Sequence, residues 1–406
     1  FDHATMLGQN GELPRCLTSM EKVKGLGQII VLVVSDPSIA EAADNQVQAI
    51  ASRFPQLSIA VIGGFELDLV HQRLEQLGLG RLSKEISLSS YAGMRNLGLL
   101  LANVLGYDAA IFVDDDAVVE DEDFLKKGVY GLGKLTRKGI PILAKTGYYL
   151  NAKGSYLSLS QDVWYNRFWR QGRAFNKWIS KAIHGPRLSR SNHVCGGILA
   201  IHREAFKRLS FDPWITRGED LDYMLDLRMY GSDIWFDNTW WMRHLPPRIA
   251  SEGARFRQNT YRWLYEYRKI EYSRTQIDLL QVKPASLEPY PGPMLESGLN
   301  RRIRLTAYLR SLGRPDKQAY LEAANAASGE AELYAQRNCA KYFEFQSIWP
   351  EVMARMENDA ILRNALVESV EQRTLGTQRT RPVYLTPSDY AVDAGSTSEI
   401  HLNVSE

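Results

Sequence analysis

Cysteine is scarce in this chain: three residues among 406, at Cys16, Cys195 and Cys339, widely spaced and with no C-x-x-C pair. So small and odd a set excludes a disulfide scaffold and a cysteine-based zinc site, and reads as buried thiols in a reducing compartment. No run of about eighteen apolar residues occurs, so no transmembrane helix is expected. No secretory leader is visible either. Because the chain begins at Phe1 rather than Met, that absence carries little weight, and a cytoplasmic location, or one peripheral to a membrane, is the expectation. Charge of one sign is missing too: 49 Lys and Arg face 47 Asp and Glu, a net charge of +2. The balance gives no reason to expect nucleic acid as a partner. Asn403-Val-Ser405 matches a glycosylation sequon, a pattern short enough to arise by chance.

What the chain does hold is alternation. Gly27–Val34, Leu57–Ile62 and Asp108–Val113 are short, β-branched, apolar runs that end in turns or acids, as buried strands do. Helical spacing fills residues 39–54, 66–78 and 90–105 between them. Residues 141–193 are less regular and rich in aromatics and arginine. Order returns at Cys195–Ile201, a strand entered through a glycine pair, and at 219–230, a helix. A strand at 234–241 then leads to His244. The pattern predicts an α/β domain over 1–250 with a mainly parallel sheet flanked by helices. From 251 to 380 strand-like runs disappear and Glu, Ala, Arg, Tyr and Leu recur at helical spacing, so an α-helical C-terminal extension is expected. The polar stretch 381–406 reads as a loose tail.

Three constellations carry chemistry. Asp114-Asp-Asp116 follows a strand, where ligands of α/β sheets gather. Clustered carboxylates suit a hard divalent ion held together with substrate phosphates; a solvated acidic turn is the plainer reading. Gly218-Glu-Asp-Leu-Asp222 opens a helix, where acids complement the dipole whether or not they do more. His244 ends a strand, in reach of a metal role or of simple packing. A fourth segment, from Trp164 and Arg170 through Trp178 to Arg190, mixes aromatics with cations. It reads equally as an acceptor loop or an amphipathic helix packed on the domain, and a membrane-surface helix is a third reading, favoured if the acceptor is lipid-linked.

In order, Asp36 after a strand, Met94-Arg-Asn-Leu-Gly98, Asp114–Asp116, Gly196-Gly197, Gly218-Glu-Asp220 and His244 resemble the GT-A glycosyltransferases of the large family 2 type. The Gly-Glu-Asp and Met-Arg-His segments are also similar to those of β-1,4-galactosyltransferases. The resemblance spans roughly residues 10–250. It implies a GT-A (nucleotide-diphospho-sugar transferase) fold and a Mn²⁺ or Mg²⁺ ion held by the Asp-x-Asp pair Asp114 and Asp116 with His244. Donor contacts would come from Asp36, Arg95, Asn96, Asp115, Gly196 and Gly197, and the general base of an inverting reaction from Asp220, with Glu219 second. Trp164, Arg170 and Trp178 are candidates toward the acceptor. The implied reaction moves a sugar, a hexosyl group by expectation, from a UDP- or GDP-linked donor to a glycan, small-molecule or lipid-linked acceptor. Membrane-surface contact and homo-oligomerisation stay open, as do a retaining mechanism and a non-catalytic glycan- or nucleotide-binding relative. A sugar-phosphate nucleotidyltransferase ranks lower, since its glycine-rich N-terminal loop is missing. The resemblance departs at its start: the family's apolar first strand ending in Pro-Thr-x-Asn-Arg is absent, and only Gly11–Leu17 remains of the segment that normally succeeds it.

Overall fold

The computed structural model describes residues 4–159, 163–247 and 251–376; the expected tail at 381–406 and Asn403 lie outside the described residues. In chain order the elements are α1 (Leu13–Met20), β1 (Gln28–Leu32), α2 (Ala40–Ala51), β2 (Ser58–Ile62), α3 (Gly64–Gln76), α4 (Tyr91–Val104), β3 (Ala109–Phe112), β4 (Ala117–Val118) and α5 (Phe124–Val129). Then come β5 (Ala144–Leu150), α6 (Gln171–Ile183), β6 (Leu188–Arg190), β7 (Leu199–His202), α7 (Arg203–Phe206), α8 (Glu219–Met229) and β8 (Ile234–His244). Five α-helices follow in the described chain: α9 (Glu252–Ser273), α10 (Leu299–Ser311), α11 (Lys317–Ala326), α12 (Glu330–Arg355) and α13 (Ala360–Thr374).

The fold is α/β with helices flanking the sheet, but the strand pairing corrects one expectation. β1 and β2 pair in parallel as a two-stranded unit. The larger sheet runs β3-β7-β5-β8-β4, with β6 on β8, and only β5 and β8 are parallel there. The sheet is therefore mixed. An apolar run cannot report its neighbour's direction: β7 is buried along most of its length and looks the same whether its partner is parallel or antiparallel.

Two details of this sheet set the geometry around His244. β4 pairs antiparallel with the end of β8, placing Ala117 opposite His244. The register of β5 against β8 shifts between Thr146 and Tyr148. Gly147 sits at that shift because a Cβ there would lie 2.2 Å from the carbonyl oxygen of Trp240. The shift sets Tyr149 opposite Met242, two residues before His244.

The C-terminal helices do not form a separate core. Leu97 and Leu100 of α4, Leu199 of β7 and Phe236 of β8 share one buried apolar cluster with Trp263, Trp349 and Leu362. α13 closes back on the N-terminal part through Arg373, whose guanidinium donates to the Val61 carbonyl at 2.9 Å and to Glu66 at 2.7 Å. Between α8 and the extension lies a buried ionic knot. Lys269 on α9 reaches Asp212, Asp222 and Asp226 at 2.7–2.8 Å, while the Tyr265 hydroxyl donates to Asp212. Burial alone would lower the lysine's pKa, but the three carboxylates reverse the shift and hold it up.

Removing one member of such a knot strands buried charge. Lys269→Met is expected to cost ~3–5 kcal/mol of unfolding free energy near neutral pH, read by urea denaturation. Burial holds Asp222 at about 6 and Asp226 well above the ordinary carboxylate range. The native state thus keeps protons that the unfolded chain releases. The stability tied to the Asp222 proton is whole below about pH 4 and is lost as pH rises through about 6. The Lys269→Met defect should accordingly be smaller at about pH 5 than at about pH 8. A defect independent of pH would contradict the assignment.

Candidate functional site

Helix α4 is capped by Ser90, whose hydroxyl accepts from the Gly93 amide at 3.0 Å. One turn in, Arg95 points into the protein and is almost wholly enclosed. Its Nε donates to Glu219 at 2.8 Å, one terminal nitrogen donates to the Gly196 carbonyl at 3.0 Å, and the other stands 3.5 Å from Asp114. One side chain thereby gathers the acidic turn after β3, the glycine pair before β7 and the first residue of α8.

The glycines are required by that convergence. A Cβ on Gly196 would lie 2.4 Å from the Arg95 guanidinium, and one on Gly197 2.4 Å from the Asp114 carboxylate. Gly218, at φ 76°, takes the left-handed conformation that starts α8, and a Cβ there would meet the Arg262 guanidinium at 2.0 Å. The three acids that come after it part company. Glu219 is buried against Arg95. Asp220 is half-buried, accepting from the Gly196 amide at 3.0 Å and from the Leu221 amide at 2.7 Å. Asp222 enters the Lys269 knot.

Asp116 and His244 meet because β4 and β8 pair: Oδ2 of Asp116 lies 3.2 Å from Nε2 of His244. The other oxygen, Oδ1, is buried with no hydrogen-bond partner. The Tyr149 ring stacks on His244 at 4.6 Å, and its hydroxyl donates to Asp114 at 3.2 Å while accepting from the Gly197 amide at 2.7 Å. Burial raises the Asp114 pKa; Arg95 opposes this. Asp115 projects from the turn, yet partial desolvation and then Asp116 and Asp114 push it up to about 6. Beneath the turn lies α1, which carries Cys16, 3.7 Å from the Asp114 carbonyl oxygen. Burial, joined by the three aspartates, pushes that thiol up to about 12, so it stays protonated. Among the described residues no group of three His, Cys, Asp or Glu side chains forms a ready cage for a metal ion. An orphaned carboxylate oxygen beside an imidazole nevertheless fits Mn²⁺ or Mg²⁺, hard ions that complete their shells with water and phosphate oxygens.

Beside His244 opens a cavity of about 640 Å³, walled by Tyr148, Tyr149, Tyr156, Phe175 and His193. Burial lowers the His193 pKa to about 3, so the imidazole is neutral.

Not every expected residue joins the site. Asn96 is fully enclosed, accepting from the Phe211 amide at 2.8 Å and donating to the Phe211 carbonyl at 3.0 Å, so it braces a loop and faces no ligand. Asp36 is exposed at the carboxyl end of β1, where its carboxylate accepts from the amide and hydroxyl of Ser38; these bonds lower its pKa. Trp178 packs on Phe175, His193 and Phe236 in the core. Trp164 and Arg170 are exposed and lie off the cavity wall. The reason is periodicity: on α6, Phe175 and Ile179 fall one turn apart and reach the cavity, whereas Trp178 lies beneath them. Tyr149 escaped sequence reasoning, although Ala144-Lys-Thr-Gly-Tyr-Tyr-Leu150 is a strand-like run in the stretch read as irregular.

Neither a family model nor a curated protein matches this sequence. Among solved structures the chain is similar to the mannosyltransferase PcManGT from Pyrobaculum calidifontis in complex with GDP-Man and Mn²⁺. Identity there is 14% over 88% of this chain and 84% of that one, with a TM-score of 0.41. It is also similar to GalNAc-T7 with UDP, GalNAc and Mn²⁺, at 12% identity and a TM-score of 0.31, covering 71% of this chain and 58% of that one.

The geometry makes Tyr149 a positioning residue. If Asp116 and His244 hold Mn²⁺, Tyr149→Phe, which keeps the stack on His244 but removes the hydrogen bond to Asp114, is expected to weaken Mn²⁺ binding by about 10-fold, as loss of an outer-shell partner does. Asp116→Asn should weaken it more. Calorimetric titration with Mn²⁺ measures both, and equal affinities in all three proteins would remove the ion from this place.

Proposed function

We propose that this chain is a divalent-metal-dependent GT-A-type glycosyltransferase that moves a sugar from a UDP- or GDP-linked donor to an acceptor hydroxyl with inversion. The supporting observation is the meeting of sequence-distant acids and glycines around buried Arg95, with Asp116 paired to the His244 imidazole, which lines an aromatic cavity. In this reading Asp116 and His244 hold Mn²⁺ or Mg²⁺, with Asp114 bound directly or through water. The ion would offset the charge that develops on the departing nucleoside diphosphate. Asp115, open to solvent, contacts the donor ribose or sugar. Gly196 and Gly197 let Arg95 and Asp114 close on the backbone, whose edge would border the donor sugar.

Asp220 is the base. Glu219 is committed to Arg95 and buried, whereas Asp220 is half-buried and held by two backbone amides, which aim it without neutralising it. Its place at the start of α8 complements a negative charge. Proton transfer is then driven by the acceptor oxygen becoming acidic as it bonds to the sugar. The cavity walls supply flat aromatic faces for the acceptor. Its orientation follows from packing against Tyr148, Tyr156 and Phe175.

Two outcomes are expected. With Mn²⁺ present, UDP or GDP should raise the melting temperature, and one nucleotide sugar in a hydrolysis screen should be cleaved slowly without any acceptor. A protein that neither binds a nucleoside diphosphate nor hydrolyses any donor is not this enzyme. Asp220→Asn is expected to lower turnover by about 10²–10⁴-fold, with little change in donor binding. Proton NMR of the first product from an α-linked donor should show a β-glycoside. An α-product would refute inversion.

A further inference from the structure

We propose that the rim formed by α6 and the segment ending at Leu159 docks on an anionic membrane surface and presents the cavity to an acceptor carried there. The choice of acceptor rests on the transferase reading; the docking does not. Between Asp162 and Glu204 the sequence holds eight Lys and Arg and no acid. Among the described residues, Arg187 meets Asp237, Arg190 meets Asp233, and Arg203 meets Asp108 and Glu357. Others lie along α6. Arg170 at its N-cap, then Arg173, Lys177 and Lys181, recur every three or four residues on the outer side of the helix, so they form one stripe. Among the described residues no carboxylate meets Arg170, Lys177 or Lys181. The opposite side of the helix, with Phe175, Trp178 and Ile179, faces the core and the cavity.

Apolar side chains stand next to this stripe. Asn176 of α6 accepts from the Ser158 amide at 2.8 Å and donates to its carbonyl at 3.2 Å, stitching that segment to the helix. Leu157 and Leu159, on either side of Ser158, are left 40% and 74% exposed, and Trp164 in the turn before α6 is 63% exposed. Cations in a row suit any polyanion. Cations beside exposed leucines and a tryptophan suit a surface with charged headgroups over an apolar layer. Leu157, Leu159, Phe175 and Ile179 also line the cavity beside His244, so a surface bound at this rim meets the cavity mouth. No described helix is long and apolar enough to cross a membrane, so this contact is peripheral.

The test is flotation of the full chain with phosphatidylcholine vesicles, alone or mixed with phosphatidylglycerol. Binding is expected only to the mixed vesicles and should weaken with salt. Each basic residue near an anionic surface contributes roughly fivefold in affinity, so Lys177→Gln/Lys181→Gln should lose about 25-fold. Donor hydrolysis, which also reports folding, should be unchanged in that variant. Leu159→Ser should weaken binding at a salt concentration where the lysine contribution is screened. The proposal is overturned by absent binding to mixed vesicles, by equal binding of the double variant, or by polyphosphate binding as tightly as the vesicles do. Vesicle binding with no donor hydrolysis would uphold the docking and reject the transferase reading.

Discussion

One buried guanidinium gathers most of the loops of the candidate site. Arg95 is enclosed by protein, and burial works against its charge, yet Glu219, Asp114 and the Gly196 carbonyl surround it so completely that its pKa is raised. A buried cation of this kind demands partners. Its planar fork offers donors in several directions at once, a geometry that lysine cannot reproduce. The consequence is positional: three loops that share no sequence proximity are bound to one point on α4. Glu219 satisfies the cation, while its neighbour Asp220 stays half-buried on the Gly196 and Leu221 amides.

A second ionic centre supports the first from behind. Helix α8 carries Glu219 and Asp220 at its start and Asp222 and Asp226 further along, and the latter two are tied to Lys269 of α9. The C-terminal helices therefore do more than cover apolar surface. They hold the helix that presents the proposed base. Burial raises the pKa of Asp222 and Asp226, so protonation eases the cost of enclosing three carboxylates with one ammonium as pH falls.

Close approach is the third constraint, and it explains the glycines. Gly147 lets β5 cross the Trp240 carbonyl, Gly197 admits Asp114 and the Tyr149 hydroxyl, and Gly218 turns the chain under Arg262. These are places where any Cβ would collide with backbone or with a held charged group. Tyr149 joins the set by touching Asp114, Gly197 and His244 together, so the carboxylate and the imidazole keep a common geometry.

Much of this was legible in the chain. Apolar runs ending in acids marked β3 and the acidic turn, helical spacing marked α4 and α8, and the glycine pair marked the entry to β7. Those signals are local, because strand and helix periodicity and turn chemistry act over a few residues. Strand direction was not legible, since a buried strand has the same composition in either pairing. Nor could spacing show which aromatics of α6 reach the cavity, or that Asp222 leaves its neighbours for Lys269. The sequence by itself determined which residues carry charge, where glycines fall, and where strands end. The tertiary structure alone decided that Ala117 pairs with His244, and so that Asp116 meets the imidazole. It alone decided that Arg95 closes on Glu219, because such contacts depend on strand register and helix packing between segments far apart in the chain.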